Sequence, residues 1–332
     1  MGNRSSRGLL TVAALLLSLL GASFTGCGGE SDDDGTLTIA VVPMGTTHEF
    51  WKSIHAGALK ASREEGVDIF WKGPLKEDDR EEQISIVEDV IAAGVDAIVL
   101  SPMDDRALMR PVTEASRHGI PTILVNSSLQ GDLHAAHIAT DNYKAGALGA
   151  RHMGEILGNR SKLIIVRVNE ADVTCTLREK GFIETIRSEF PDIEILSDNQ
   201  YAGVTTETAY RTCENLLNRF PEVEAIFTPN ESSTFGCLRA LEDRGLAGKV
   251  RFVGFDSTDK LIQALEKREI DGLVIQNPVR MGYDGVKTAV AILRKESFEK
   301  LVDTGAVVAT PDNMRDPEIE SLLSPDLSIL DE

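Results

Sequence analysis

The chain has 332 residues, 42% of them apolar, with 34 basic against 53 acidic side chains and a formal charge of −19. That length and apolar content suffice for two domains with cores of their own. The acidic balance repels phosphate backbones and opposes long-range capture of anions, which argues against nucleic acid and against an electrostatically steered anionic substrate.

The first segment carries Arg4 and Arg7, then an apolar run from Leu9 to Leu20, with no acid before Glu30. The run is shorter than the about 20 residues that span a bilayer. A basic start, a short apolar core and small residues after it describe an export signal peptide. Phe24-Thr25-Gly26-Cys27 resembles the bacterial lipobox, with Phe24 where Leu is usual, so cleavage is expected before a lipid-bearing Cys27. An ordinary signal peptide with a bystander Cys27 is the alternative. Residues 1–26 are read as the signal peptide and 27–35 as an acidic tether. Cleavage removes two arginines and no acid, taking the formal charge from −19 to −21 (32 − 53).

Beyond the tether, short β-branched runs alternate with amphipathic stretches. Strands are expected at Thr36–Pro43, Asp68–Trp71, Ala97–Ser101, Thr122–Asn126, His137–Thr140, Lys162–Arg167, Glu194–Tyr201, Ala225–Thr228, Val250–Phe255 and Leu273–Gln276. Helical patterns between them include Phe50–Glu65, Asp79–Ala93, Leu108–His118, Tyr143–Leu157, Thr206–Arg219 and Ser232–Arg244. Continuously apolar strands imply parallel sheets covered by helices on both faces, an α/β architecture. The stretch Val95–Gly119 reads like Val223–Gly245: an apolar strand, a polar tip, then a helix ending at glycine. This weak repeat points to two halves. Cys175, Cys213 and Cys237 lack the CxxC spacing of metal or redox sites and are read as small buried side chains, with one disulfide left open.

In such sheets ligands gather at the C-terminal tips of strands. After the first strand, His48 is followed by Phe50 and Trp51, bulky rings opening a helix beside a loop. Asn126 and Ser127 follow the fourth strand, Arg178 lies beyond the sixth, and Asn230, Asp256 and Gln276 stand at the eighth, ninth and tenth. Asn, Asp, Gln and Arg are planar groups that engage two partners at once, as vicinal hydroxyls require. Aromatic rings cover the C–H face of a sugar. The set therefore reads as a monosaccharide site. Each residue also has a plainer reading: Asp256 or Asn230 as a helix cap, Gln276 as turn filler, Arg178 as a solvated helix residue.

The segments GALKASREEGV, GVDAIVLSPMD, GIPTILVN, HIATDN, LREKGF, VEAIFTPNE, RFVGFD and VIQNP, in this order and spacing, resemble the periplasmic sugar-binding proteins of the ribose-binding type. The resemblance runs from about Thr36 to Val308. It implies two doubly wound parallel-sheet lobes joined by three hinge crossings, near Thr140–Asn142, Gln276–Pro278 and Thr304–Ala306. The N-terminal lobe would hold 36–140 plus 277–304 and the C-terminal lobe 141–276 plus 305–312, with 313–332 an acidic tail of no assigned role. The family's ligand contacts fall on His48, Phe50, Trp51, Asn126, Ser127, Arg178, Asn230, Asp256 and Gln276. A further aromatic expected near Val204 is absent. Ribose binders carry an acidic–basic pair where this chain has Asn126-Ser127, so ribose itself is not implied. The resemblance also implies hinge closure on the ligand and docking on an ABC-type permease, as a monomer without cofactor.

Rival functions find less support. No G-x-S-x-G elbow or phosphate-binding G-x-x-x-x-G-K-[ST] loop occurs, and Gly245–Lys249 lacks the spacing. His134 and His137 are read as surface residues, and Asp104-Asp105 as a loop or cap, so no metal and no catalysis are expected. A repressor would need a basic helix-turn-helix before Thr36, where only the signal segment and acidic tether stand. A sugar sensor feeding a membrane kinase or chemotaxis receptor remains the alternative to an importer's receptor.

Overall fold

The computed structural model describes residues 35–332 apart from residue 159, so the expected signal peptide and the lipid-bearing Cys27 lie outside the described residues. Two six-stranded sheets share one plan. In the first, β1 (Thr38–Val42), β2 (Asp68–Trp71), β3 (Ala97–Leu100), β4 (Thr122–Val125) and β5 (Ala136–Ala139) are joined by β11 (Leu301–Asp303), all parallel, in the order β11-β5-β4-β3-β1-β2. In the second, β6 (Lys162–Arg167), β7 (Glu194–Tyr201), β8 (Ala225–Phe227), β9 (Arg251–Phe255) and β10 (Gly272–Gln276) are joined by β12 (Ala306–Ala309), in the order β12-β10-β9-β8-β6-β7. Only β12 runs antiparallel, against β10.

The apolar strands are buried at every position of β3 and β4 because helices cover both faces. Alternate residues divide accordingly. Val41, Val99, Ile123 and Val125 face α1 (Glu49–Glu65) and α9 (Pro278–Leu293). Ala40, Ile98, Leu100 and Leu124 face α2 (Arg80–Ala93) and α3 (Met109–Arg117). The second sheet is sandwiched likewise: Leu163, Ile165, Phe227 and Val253 pack with α4 (Asn142–Leu157) and α5 (Val173–Glu189). Its other face meets α6 (Thr206–Arg219), α7 (Glu231–Asp243) and α8 (Asp259–Glu266).

Three crossings join the lobes. After β5 the chain enters α4, which packs on α5; after β10 it enters α9, which returns to α1; the third lies between β11 and β12. Thr140 Oγ1 donates to the Gly305 carbonyl (3.1 Å), and Asp303 Oδ1 accepts from the backbone N–H of Asp141 (3.2 Å) and of Gly305 (2.8 Å). The first and third crossings are thus cross-linked at the hinge. The two helix pairs that straddle them meet through glycine. A Cβ on Gly282 would stand 2.0 Å from the Ile54 carbonyl oxygen, and one on Gly146 would stand 2.0 Å from that of Arg178.

Residues 310–332 are not a loose tail. Met314 and Leu323, the latter closing α10 (Pro317–Leu323), are buried in the core of the C-terminal lobe. The final turn, Ser328–Asp331, packs on α1 of the other lobe, and Glu332 pairs with Arg63 at 2.6 Å. Cys175, Cys213 and Cys237 are free and buried.

Candidate functional site

The strand tips of both sheets point into one cleft between the lobes. It is lined by His48, Phe50, Trp51, Asn126, Arg178, Asn230, Asp256 and Gln276, together with Met44, Glu77, Asp172, Thr174, Cys175 and Glu231. Ser127 stands beside the cleft instead of lining it; its Oγ meets Thr174 Oγ1 at 2.9 Å, a contact from lobe to lobe.

On the N-terminal side, His48 occupies the N-cap position of α1 without capping it. Its Nδ1 lies 2.9 Å from Glu77 Oε1, and Trp51 Nε1 donates to the same oxygen at 2.6 Å. Burial opposes charge on His48, but the Glu77 hydrogen bond and the carboxylates of Glu77, Glu231 and Asp256 outweigh it and raise its pKa to about 9. Trp51 is buried and meets Phe50 edge-to-face, ring centroids 5.0 Å apart. The backbone N–H of Phe50 donates across the cleft to Glu231 Oε2 (3.2 Å). This carboxyl thereby sits at the positive end of α1. Burial is the main force raising the Glu231 pKa to about 7, against the charge of His48.

On the C-terminal side, Arg178 is 2% exposed, so it is no solvated helix residue. Its Nε donates to Asn142 Oδ1 (2.8 Å) and one Nη to the Pro229 carbonyl (2.9 Å), while Asp256 Oδ2 lies 3.9 Å away. The guanidinium lies over the Phe255 ring. Asp256 does not cap α8; Thr258 does. Instead Asp256 accepts from the Glu231 N–H (3.1 Å) and from Gln276 Nε2 (2.7 Å). Burial pushes its pKa up, and Arg178, Gln276 and the Glu231 N–H pull against that. Asn230 does cap α7, its Oδ1 accepting from the Ser233 N–H. It therefore fills both roles considered for it: it ends the strand connection and lines the cleft.

Asn126 (φ 62°) and Asp256 (φ 63°) adopt left-handed backbone, a region sparsely used by residues other than glycine and best tolerated by Asn and Asp. Such conformations gather where side chains must be aimed. The lobes close tightly, leaving a cavity of ≈ 30 Å³ among these groups. Ligand pockets for small molecules begin at about 300 Å³. Admission of a ligand therefore requires the lobes to part at the hinge. An adjoining cavity of ≈ 420 Å³ shares Phe50, Glu231, Asp256 and Gln276 and is bounded by Leu322–Leu323 of the C-terminal segment, but His48, Asn126, Arg178 and Asn230 do not reach it. The convergent polar groups belong to the smaller one.

Glu77, Asp172, Thr174, Cys175 and Glu231 were not singled out by the sequence. Asp172 caps α5, its Oδ1 accepting from the Cys175 N–H. Burial raises the Cys175 thiol well above its ordinary pKa, so it stays protonated. His134 and His137 are half-buried rather than on the surface, their rings edge-to-face 6.4 Å apart. Among the described residues no three His, Cys, Asp or Glu side chains are placed to share a metal ion.

Two hinged α/β lobes with strand tips converging on an enclosed polar and aromatic cleft define a two-lobed solute receptor of the type I binding-protein fold. The family model for the periplasmic binding protein domain matches residues 39–297, and the chain belongs to that family. It is 25% identical over 280 residues to the ribose import binding protein of Bacillus subtilis (strain 168), covering 82% of this chain and 87% of that one. It is 29% identical over 290 residues to the D-ribose/D-allose-binding protein of Pseudomonas aeruginosa, covering 82% and 86%. Among solved structures, a carbohydrate transporter solute binding protein from Agrobacterium radiobacter in complex with D-arabinose superposes with a TM-score of 0.83 at 33% identity, covering 87% of this chain and 99% of that one. An ABC transporter solute binding protein from Agrobacterium vitis with bound D-fucose gives 0.83 at 30% identity, covering 86% and 100%.

Proposed function

We propose that this protein is a solute receptor that captures a monosaccharide or related polyol between its lobes and delivers it to an ATP-driven importer. The observation that carries this reading is the convergence of eight of the nine expected contact residues, from strand tips and the helices that follow them, far apart in sequence, on one inter-lobe cavity. Phe50 and Trp51 offer apolar ring surface. Arg178, Asn230, Asp256 and Gln276 supply planar hydrogen-bonding groups from the facing lobe, and Asn126 supplies one from the same lobe as the rings. Charge-assisted bonds contribute about 1.5–3 kcal/mol each, and micromolar affinity needs about −8 kcal/mol net. Three or four such bonds with ring stacking reach it.

Importer delivery draws on the names of the ribose import relatives and on the hinge, which gives the permease a closed form to recognise. A periplasmic or cell-surface location, tethered through lipid on Cys27, completes the reading; mass spectrometry of the mature N-terminus tests it. The receptor function is tested by thermal shift of the soluble domain against pentoses, hexoses, deoxysugars and polyols. A ligand that binds only the folded state raises the melting temperature. The expected result is a shift with a subset of these, lost at least tenfold in affinity in Arg178→Ala. No shift with any of them refutes the sugar class.

A further inference from the structure

The cleft's charges and hydrogen-bonding groups do not balance. Four carboxyl groups line it, those of Glu77, Asp172, Glu231 and Asp256, against two cationic side chains, His48 and Arg178. Both cations are committed: His48 to Glu77 at 2.9 Å, and Arg178 to Asn142, to the Pro229 carbonyl and, at 3.9 Å, to Asp256. Glu231 is left with one backbone N–H from Phe50, and Asp172 with the backbone N–H and the thiol of Cys175. Neither acid makes an ion pair: the charge of His48 acts on Glu231, and that of Arg178 on Asp172, only at a distance, and a buried carboxylate without a paired charge is costly. Burial accordingly pushes both of these acids toward their protonated form.

The neutral groups show the same imbalance. Gln276, 2% exposed, spends its Nε2 on Asp256, which orients the amide and leaves Oε1 without a partner. Asn126, 5% exposed, likewise leaves Oδ1 unpartnered. Trp51 Nε1 is consumed by Glu77. The cleft thus presents acceptors in excess of donors. A sugar hydroxyl brings one donor and two acceptor lone pairs, whereas an ammonium brings three donors and none. The acids are not arranged around a single metal ion.

We propose that the cleft takes a sugar bearing a protonated primary amine, an aminodeoxy monosaccharide, with Glu231 and Asp172 as the counter-charges and the Gln276 and Asn126 amide oxygens as further acceptors. This rests on the sugar-receptor reading and narrows it. The ammonium lets these two acids ionise beside it and offers three donors, and the sugar's hydroxyls serve the acceptor that remains. The same features reject an N-acyl derivative, which loses the charge and two of the three donors.

Calorimetry on the soluble domain tests the assignment with D-glucosamine, D-galactosamine, D-mannosamine and 4-amino-4-deoxy-L-arabinose, each against its neutral parent and, for the hexosamines, its N-acetyl form. The expected result is at least one amine that binds tenfold or more tighter than its parent and its N-acetyl form. In Glu231→Gln, which can still accept from the Phe50 N–H, and in Asp172→Asn, the amine-to-parent affinity ratio falls toward one. Neutral parents binding tighter than every amine overturns the amine assignment and leaves the sugar receptor intact. Binding by neither set sinks both. An unchanged ratio in both variants removes these two acids from the assignment and overturns it as stated.

Discussion

Asn126 follows β4 in one lobe, and Asp256 follows β9 in the other. The two strands hold the same place in sheets of the same order, and the two residues share a left-handed backbone within one degree of φ, 62° and 63°. The scaffold repeats, yet what stands on it does not. Asn126 makes one weak side-chain contact, to Ser127 Oγ at 3.4 Å, and leaves its oxygen open. Asp256 is held by the Glu231 N–H and Gln276 and faces Arg178. The helix pairs repeat as well: α1 meets α9 through Gly57 and Gly282, and α4 meets α5 through Gly146 and Gly181. The fold thus supplies two equivalent sets of tips, and the asymmetry of charge placed on them, heavier in the C-terminal lobe, gives the cleft its chemistry.

The helix pairs give the largest expected effects. Gly146→Ala drives a Cβ to 2.0 Å from a backbone oxygen, and Gly282→Ala does the same in the other lobe. Overpacking of this kind costs about 3 kcal/mol where only backbone can yield. Denaturant unfolding should show both losses. The lobes then diverge in function: the backbone displaced by Gly146→Ala is that of Arg178, so ligand affinity falls there well beyond the loss in Gly282→Ala. Equal affinities in the two variants would show that Arg178 is not positioned through this contact.

Next comes pH. Below about 4.5 Glu231 is protonated folded and unfolded, and it costs nothing. Between 4.5 and about 7 the unfolded chain ionises first, so the folded state loses stability, on the order of 3 kcal/mol, and no more above 7. His48 acts in the adjoining window. Its charged form is favoured by the fold, so its contribution is complete below 6.5 and is lost as pH rises toward 9. Melting temperatures should decline across the whole range. Glu231→Gln should flatten the lower part and, by removing one of the carboxylates facing His48, shrink the upper. A wild-type curve flat from pH 4.5 to 7 contradicts the burial of Glu231.

For affinity, Asp256→Ala should cost at least tenfold in dissociation constant, and Asn126→Ala less than that. A charged acceptor in a hydrogen-bonded network is worth more than a lone amide. Calorimetry giving the reverse order would move the centre of recognition to the N-terminal lobe.

Sequence made the central strands plain, because β3 and β4 are apolar at every position and a strand covered on both faces has to be. It passed over β11 and β12. These are three and four residues long, and β11 is largely exposed, so neither carries a pattern that burial would impose. The C-terminal segment escaped because its pattern is short: Ile319, Leu322 and Leu323 share one face of the seven-residue α10, and Met314 anchors the turn before it alone. In the cleft, strand-tip position together with the family resemblance located Asn126, Asn230, Asp256 and Gln276. It did not locate Glu77, which belongs to a run of acids that reads as a solvated loop until His48 and Trp51 are seen to fold onto it. Asp172 and Glu231 were hidden by ordinary roles, a helix cap and a first-turn acid, which any helix can use without a ligand.

The smallest effect returns to the paired tips. If left-handed backbone is imposed by the scaffold in both lobes, glycine should suit each position better than alanine, even though both remove the side chain. The difference is about 1 kcal/mol, the penalty for placing a Cβ in that region. Asn126→Gly should therefore melt above Asn126→Ala, and Asp256→Gly above Asp256→Ala, by matching amounts. Affinity should not follow, since neither glycine nor alanine restores the amide or carboxylate. A difference at one site alone would mean that the backbone there is set by the side chain's own hydrogen bonds, and that the two lobes share their strand order but not the geometry of their tips.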